Sequence, residues 1–174
     1  TLNGVFGIYE MPVWAQYAFS VFLITGLINA FNLIDGIDGL AGGLAFINSL
    51  VLGSILILQH NILFALLAFT FAGALLGFLK YNFNPAKIFM GDTGSLVIGF
   101  LMAFFGIVVI SGEKIESAEA LKLSSGFTII VVGTLLLPVY DTLRVFSERI
   151  LKKSSPFKPD RTHVHHLLIE TGAR

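Results

Sequence analysis

Cysteine is absent from the 174-residue chain. Its absence excludes disulfides, thiolate metal sites and a cysteine nucleophile. Charge is scarce. Asp, Glu, Lys and Arg make up 13% of the residues, where a soluble domain carries about 25%. The net charge is +0, which leaves no global field to attract nucleic acid. No basic stretch with a small-residue cleavage site opens the given sequence. The chain begins at Thr1 rather than Met, and Leu167-Leu168-Ile169 starts a new apolar run just before Arg174. The expectation is therefore a piece of a longer chain, cut at residue 1 and also near Arg174.

What remains is apolar. Hydrophobic residues make up 55% of the chain, and the mean hydropathy is +0.85. A membrane helix needs about 17–25 mostly apolar residues. Met11 to Ile34 carries no charge and accommodates one span, over 15–31. Gly39 to Leu79 is also uncharged but too long for one span; Gln59-His60-Asn61 divides it into 42–58 and 62–79. A fourth span covers 93–112 and a fifth 126–146, with Pro138 expected to kink the latter. These runs are apolar on every side, unlike amphipathic surface helices. The fold class is all-α, a polytopic membrane bundle of about five transmembrane helices.

The connections alternate sides. Residues 32–41, 80–94 and 149 onward share one side; 59–61 and 111–125 lie opposite. Lys80, Lys87, Arg144, Arg149, Lys152, Lys153, Lys158 and Arg161 fall on or near the first side, against Lys114 and Lys122 on the other. Lys and Arg accumulate on the cytoplasmic side, so the first side is expected to be cytoplasmic.

Three polar segments converge there. In Asn29-Ala30-Phe31-Asn32-Leu33-Ile34-Asp35-Gly36-Ile37-Asp38-Gly39, two amides and two carboxylates end a span. Asn29 and Asn32 share a face, as do Asp35 and Asp38, if the backbone stays helical. The plain alternative is a Gly-rich turn with solvated acids. A calcium loop would need acids two apart and a Glu at its twelfth position; that position, counted from Asp35, is Phe46. The second segment is Phe89-Met90-Gly91-Asp92-Thr93-Gly94-Ser95. Asp92 or Thr93 could be an N-cap. Flanking glycines also permit close ligand approach, and a helix N-terminus favours phosphate. A carboxylate beside phosphate is what Mg²⁺ requires. The third segment runs from Ser154 to His166 and holds Lys158, Arg161, His163, His165 and His166. It could bind a phosphorylated lipid or a pyrophosphate; a basic lipid-holding patch and a zinc site are the alternatives. Asp141 and Arg144 fit a simple i,i+3 ion pair, and His60 falls in a short turn away from the converging segments.

Together, residues 29–42, 89–95 and 155–166 resemble the motifs of the polyprenyl-phosphate N-acetylhexosamine-1-phosphate transferases, specifically the bacterial undecaprenyl-phosphate GlcNAc-1-phosphate transferase branch. The resemblance implies transfer of a sugar-1-phosphate, GlcNAc-1-phosphate foremost, from a UDP-sugar to undecaprenyl phosphate with release of UMP. That is the first membrane step of a cell-envelope polysaccharide such as lipopolysaccharide. It implies Asp92 as ligand of Mg²⁺ or Mn²⁺, with Asp35, Asp38 and Asp92 as the catalytic acids. Asn32, Phe89, Arg161, His163, His165 and His166 would bind substrate, Phe89 by stacking on uracil. The implied setting is the bacterial inner membrane with the site on the cytoplasmic face; partners are the UDP-sugar, the polyprenyl phosphate, the membrane and a second copy of the chain, with no nucleic acid. The family also carries an Asp-Asp pair in an earlier loop and more spans than the five read here, and no Asp-Asp occurs in this sequence. The resemblance therefore implies that 1–174 is a single multi-pass domain, a fragment lacking N-terminal and C-terminal helices or else a degenerate relative, and inactive by itself. A phospho-MurNAc-pentapeptide transferase remains an alternative, and a transporter or non-catalytic membrane subunit an alternative of another class.

Overall fold

In the computed structural model, residues 11–112 and 118–151 are described, and they form five α-helices with no strand. These are α1 (Val13–Ile34), α2 (Leu40–Leu58), α3 (Ile62–Asn82), α4 (Gly91–Ser111) and α5 (Ala118–Leu151). All five contain a stretch long and apolar enough to cross a membrane; in α5 that stretch is Gly126–Arg144. The chain is a multi-pass membrane protein.

Side chains are distributed as a lipid solvent demands. Large apolar residues such as Phe22, Leu63 and Ile129 are about two-thirds exposed or more, whereas Asn48, Ser49, Asn82, Ser95, Thr128 and Asp141 are buried. Hydrocarbon offers polar groups no partners, so they turn inward, and apolar groups lose nothing by facing out. α2 packs chiefly on α3, and α1 chiefly on α4; α5 lies against α1 and α4. Small residues set the close approaches. Gly99 makes the tightest approach between helices: a Cβ there would lie 2.5 Å from the Ile28 Cα, so α1 and α4 cross with their backbones in contact. Leu27, Phe31, Leu52, Leu56, Met102 and Phe105 fill the space between.

Gln59 closes the end away from the polar loops. Its Nε2 donates to the Val109 carbonyl near the end of α4, at 2.9 Å. The break at Gln59-His60-Asn61 is thus where the sequence puts it, with His60 taking a φ of 58° in the turn.

Three expectations change. Helix α1 stops at Ile34, and Asp35 is its C-cap, so Asp35 and Asp38 do not share a helical face. Asn29 and Asn32 both lie within α1 and are i,i+3 neighbours on its surface, as expected; Asn32 bonds α4 while Asn29 is exposed. Residues 118–125 are helical rather than loop, because a helix may continue beyond the apolar stretch that hydropathy detects. Neither Asp92 nor Thr93 caps α4: Met90 holds the N-cap position without a side-chain bond, and Asp92 lies inside the first turn.

Candidate active site at the α1–α4 junction

The C-terminal end of α1 meets the N-terminal end of α4. Asn32 Nδ2 donates to Asp92 Oδ1 at 3.1 Å and to Ser95 Oγ at 3.0 Å. A carboxylate only accepts, so the amide nitrogen must face it. Both N–H groups are then used, and the amide carbonyl points elsewhere. Ser95 is fully buried, and its hydroxyl lies 3.1 Å from the Gly91 carbonyl. Asn32 is therefore anchored on α4 from two sides, and it orients Asp92 in turn.

Asp35 is the second carboxylate. Its pKa is raised from 3.8 to about 6. Burial is the main cause; a hydrogen bond from the Gly91 backbone N–H pulls the other way, and the charge of Asp92 adds to the rise. The two acids thus face a shared region beside the first turn of α4. Gly91 has a φ of 65°, and a Cβ there would meet nothing within 4 Å. Its backbone geometry requires glycine, and the space beside it is open.

The two loops that carry these groups are bound to each other. Asn82, nearly fully buried at the end of α3, accepts the Gly39 N–H at 2.9 Å and donates to the Ile88 carbonyl at 2.9 Å. Asp38 Oδ2 accepts the Ala86 N–H at 3.0 Å. The Phe83 ring covers Gly39, where φ is 78° and a Cβ would lie 2.8 Å from the ring. The Lys87 N–H folds back onto the Tyr81 carbonyl at 2.8 Å. Phe89 is 79% exposed on the same loop, one turn before Asp92.

The structure thus gathers Asn32, Asp35 and Asp92 at one site. Asp38 lies in the same loop pair but is bound to backbone. Arg161, His163, His165 and His166 lie outside the described residues. Ser95 and Asn82 escaped attention as individual site residues. The signal for Asn82 was an amide ending an apolar span, where polar groups usually have a partner. Asp141 and Arg144 form the expected i,i+3 pair, 3.8 Å apart.

Residues 1–110 match glycosyl transferase family 4. The chain belongs to that family. It is 37% identical over 159 residues to the probable undecaprenyl-phosphate N-acetylglucosaminyl 1-phosphate transferase of Bacillus subtilis, covering 91% of this chain and 42% of that protein. It is 39% identical over 161 residues to the decaprenyl-phosphate N-acetylglucosaminephosphotransferase of Mycolicibacterium smegmatis, covering 86% and 39%. It is 32% identical over 179 residues to the undecaprenyl-phosphate alpha-N-acetylglucosaminyl 1-phosphate transferase of Escherichia coli K12, covering 99% and 46%. The chain spans less than half the length of these family 4 relatives. Its junction of Asn32, Asp35 and Asp92 lies wholly within the matched residues.

Proposed function

We propose that the full-length protein transfers GlcNAc-1-phosphate from UDP-GlcNAc to a polyprenyl phosphate and releases UMP. The observation that carries this reading is the pairing of Asp35 with Asp92 at the open N-terminal turn of α4, with Asn32 bridging the two helices. A helix N-terminus suits phosphate, and the names of the relatives favour GlcNAc over MurNAc-pentapeptide. A transporter would gather its polar groups near the bilayer midplane; these acids lie at helix ends.

The donors fit a hard divalent cation. Both are carboxylates, and burial, with a smaller contribution from the charge of Asp92, raises the pKa of Asp35. Among the described residues, no cluster of three or more acids or histidines could hold a metal unaided. Mg²⁺ is usually held by one or two carboxylates together with substrate phosphates, so Asp92 and Asp35 would complete a site with the pyrophosphate. When bound, the ion would neutralise charge on the pyrophosphate.

The chain's own residues position the reaction. Asn32 orients Asp92, Asp38 and Asn82 hold the loops, and Phe89 offers an exposed face for a pyrimidine. Arg161, His163, His165 and His166 would contact the phosphates. An oxygen of the lipid phosphate attacks the sugar-bearing phosphorus, the bond from that phosphorus to the UMP oxygen breaks, and UMP departs. Phosphoryl transfer depends mostly on positioning and charge neutralisation, and the cation excess on this side supports a cytoplasmic site.

The test follows the sugar-linked phosphate. With that phosphate labelled in the donor, the full-length enzyme should pass the label to lipid and release unlabelled UMP. Label retained in a released nucleoside diphosphate would refute the reading.

A further inference from the structure

Helix α5 carries Pro138 in its interior. Proline has no N–H, so the carbonyl four residues earlier, that of Thr134, loses its helical partner, and the ring pushes that carbonyl outward. The structure supplies a replacement from another helix. Asn48 of α2 donates its Nδ2 to the Thr134 carbonyl at 3.1 Å. Asn48 is 3% exposed and Pro138 is fully buried. A buried amide in a membrane helix is costly unless it bonds, and a displaced carbonyl in hydrocarbon is equally costly. Each group resolves the other's deficit. Two threonines flank the point: Thr134 Oγ1 bonds the Val131 carbonyl and Thr142 Oγ1 bonds the Pro138 carbonyl, both at 3.0 Å. Such back-bonding also weakens and bends helices.

We propose that Asn48 is a positioning residue, a latch that sets the direction of the site-end half of α5 through the Thr134 carbonyl. This rests on the transferase reading above. From Pro138 to Leu151 the arm is about 20 Å long at 1.5 Å per residue, so a change in bend of about 10° moves its tip by roughly 3 Å. The arm bears Asp141 and Arg144, belongs to a helix that packs beside the one carrying Asn32, and is joined in sequence to Arg161, His163, His165 and His166. A misplacement of about 1 Å can lower a rate by about 100-fold. The latch thus connects a bond inside the bilayer to groups at the site end.

The test uses the full-length enzyme and the variants Asn48→Leu, Pro138→Ala and the double variant, each measured for thermal unfolding and for turnover. Asn48→Leu should lower the unfolding midpoint and reduce kcat about tenfold or more. Pro138→Ala restores an N–H to the Thr134 carbonyl, so it should raise the midpoint yet still reduce kcat, and it reports even if Asn48→Leu fails to fold. In the double variant the midpoint should recover while kcat stays low. Wild-type kcat in Asn48→Leu, or in Pro138→Ala, overturns the positioning role. Recovery of kcat together with the midpoint in the double variant makes Asn48 a stabilising residue only. A midpoint that does not recover shows that the Thr134 carbonyl is not the group Asn48 serves. An unmutated enzyme that transfers no phosphate removes the transferase reading and the positioning role with it, while the two midpoints still decide whether the latch exists.

Discussion

Asn32 and Asp92 are 60 positions apart, yet the amide nitrogen of one lies 3.1 Å from a carboxylate oxygen of the other. That bond crosses from the last turn of α1 to the first turn of α4. It depends on the backbone contact at Gly99, which lets the two helices approach closely enough for short side chains to meet.

Asp92→Asn should leave the fold intact, because Asp92 is exposed and does not serve as the helix cap. Metal-dependent turnover in the full-length enzyme should fall by at least about 1,000-fold, in keeping with several kcal/mol of charge stabilisation. Wild-type turnover at limiting Mg²⁺ would exclude Asp92 as a ligand.

Asp35 makes a prediction about pH. Its folded pKa, about 6, exceeds its ordinary value of 3.8, so the folded state binds the proton more tightly than the unfolded chain. The resulting stabilisation is complete below about pH 3.8 and is lost as the pH rises through about 6. Allowing for solvent screening at this half-buried group, the swing is about 1–2 kcal/mol. Asp35→Asn should therefore flatten the pH dependence of thermal unfolding across that window and stabilise the protein at neutral pH, while turnover is lost. An unchanged slope would mean that Asp35 titrates normally.

Asn82→Leu removes two of the bonds that hold the site loops, to Gly39 and to Ile88, and leaves the Asp38–Ala86 bond in place. Leaving the buried Gly39 N–H unpaired should cost about 1–3 kcal/mol, the part-buried Ile88 carbonyl less. Limited proteolysis should cut within residues 83–90 faster than in the wild type. Equal cutting rates would show that the loops hold together without this amide.

Gly99→Ala should act on the site from a distance. The added methyl would lie 2.5 Å from the Ile28 Cα and 2.8 Å from the Leu27 carbonyl, backbone that cannot rotate away. The helices must part, at a cost of about 1–3 kcal/mol for overpacking, and Asn32 should lose its hold on Asp92. Turnover should drop even though no site residue has changed; a variant with wild-type stability and turnover would show that the crossing has slack.

The sequence made the spans legible because hydrocarbon imposes a length and excludes charge. Gln59-His60-Asn61 stood out as a break within a long apolar run for that reason. The convergence of Asn32, Asp35 and Asp92 was legible from the alternation of sides alone. Individual roles were less so. Asp35 and Asp38 part company because α1 ends at Ile34, and hydropathy does not register where a helix ends within a polar segment. Asn82 and Asn48 carry no motif of their own; each bonds a backbone group far away in the chain, Gly39 and Thr134, which no local pattern specifies. The extension of α5 through 118–125 was missed because polar residues there mimic a loop.

The crossing of α1 and α4 also has a consequence for biosynthesis. Two intervening spans separate Asn32 from Asp92, so during synthesis at about 5–20 residues per second the first helix waits roughly 3–12 s for its partner. Asn32 and Asp35 can wait because they sit at the end of α1, within reach of headgroup water. The same groups at mid-helix would spend that interval in hydrocarbon. Their terminal placement keeps the unfinished protein insertable as well as serving the finished site.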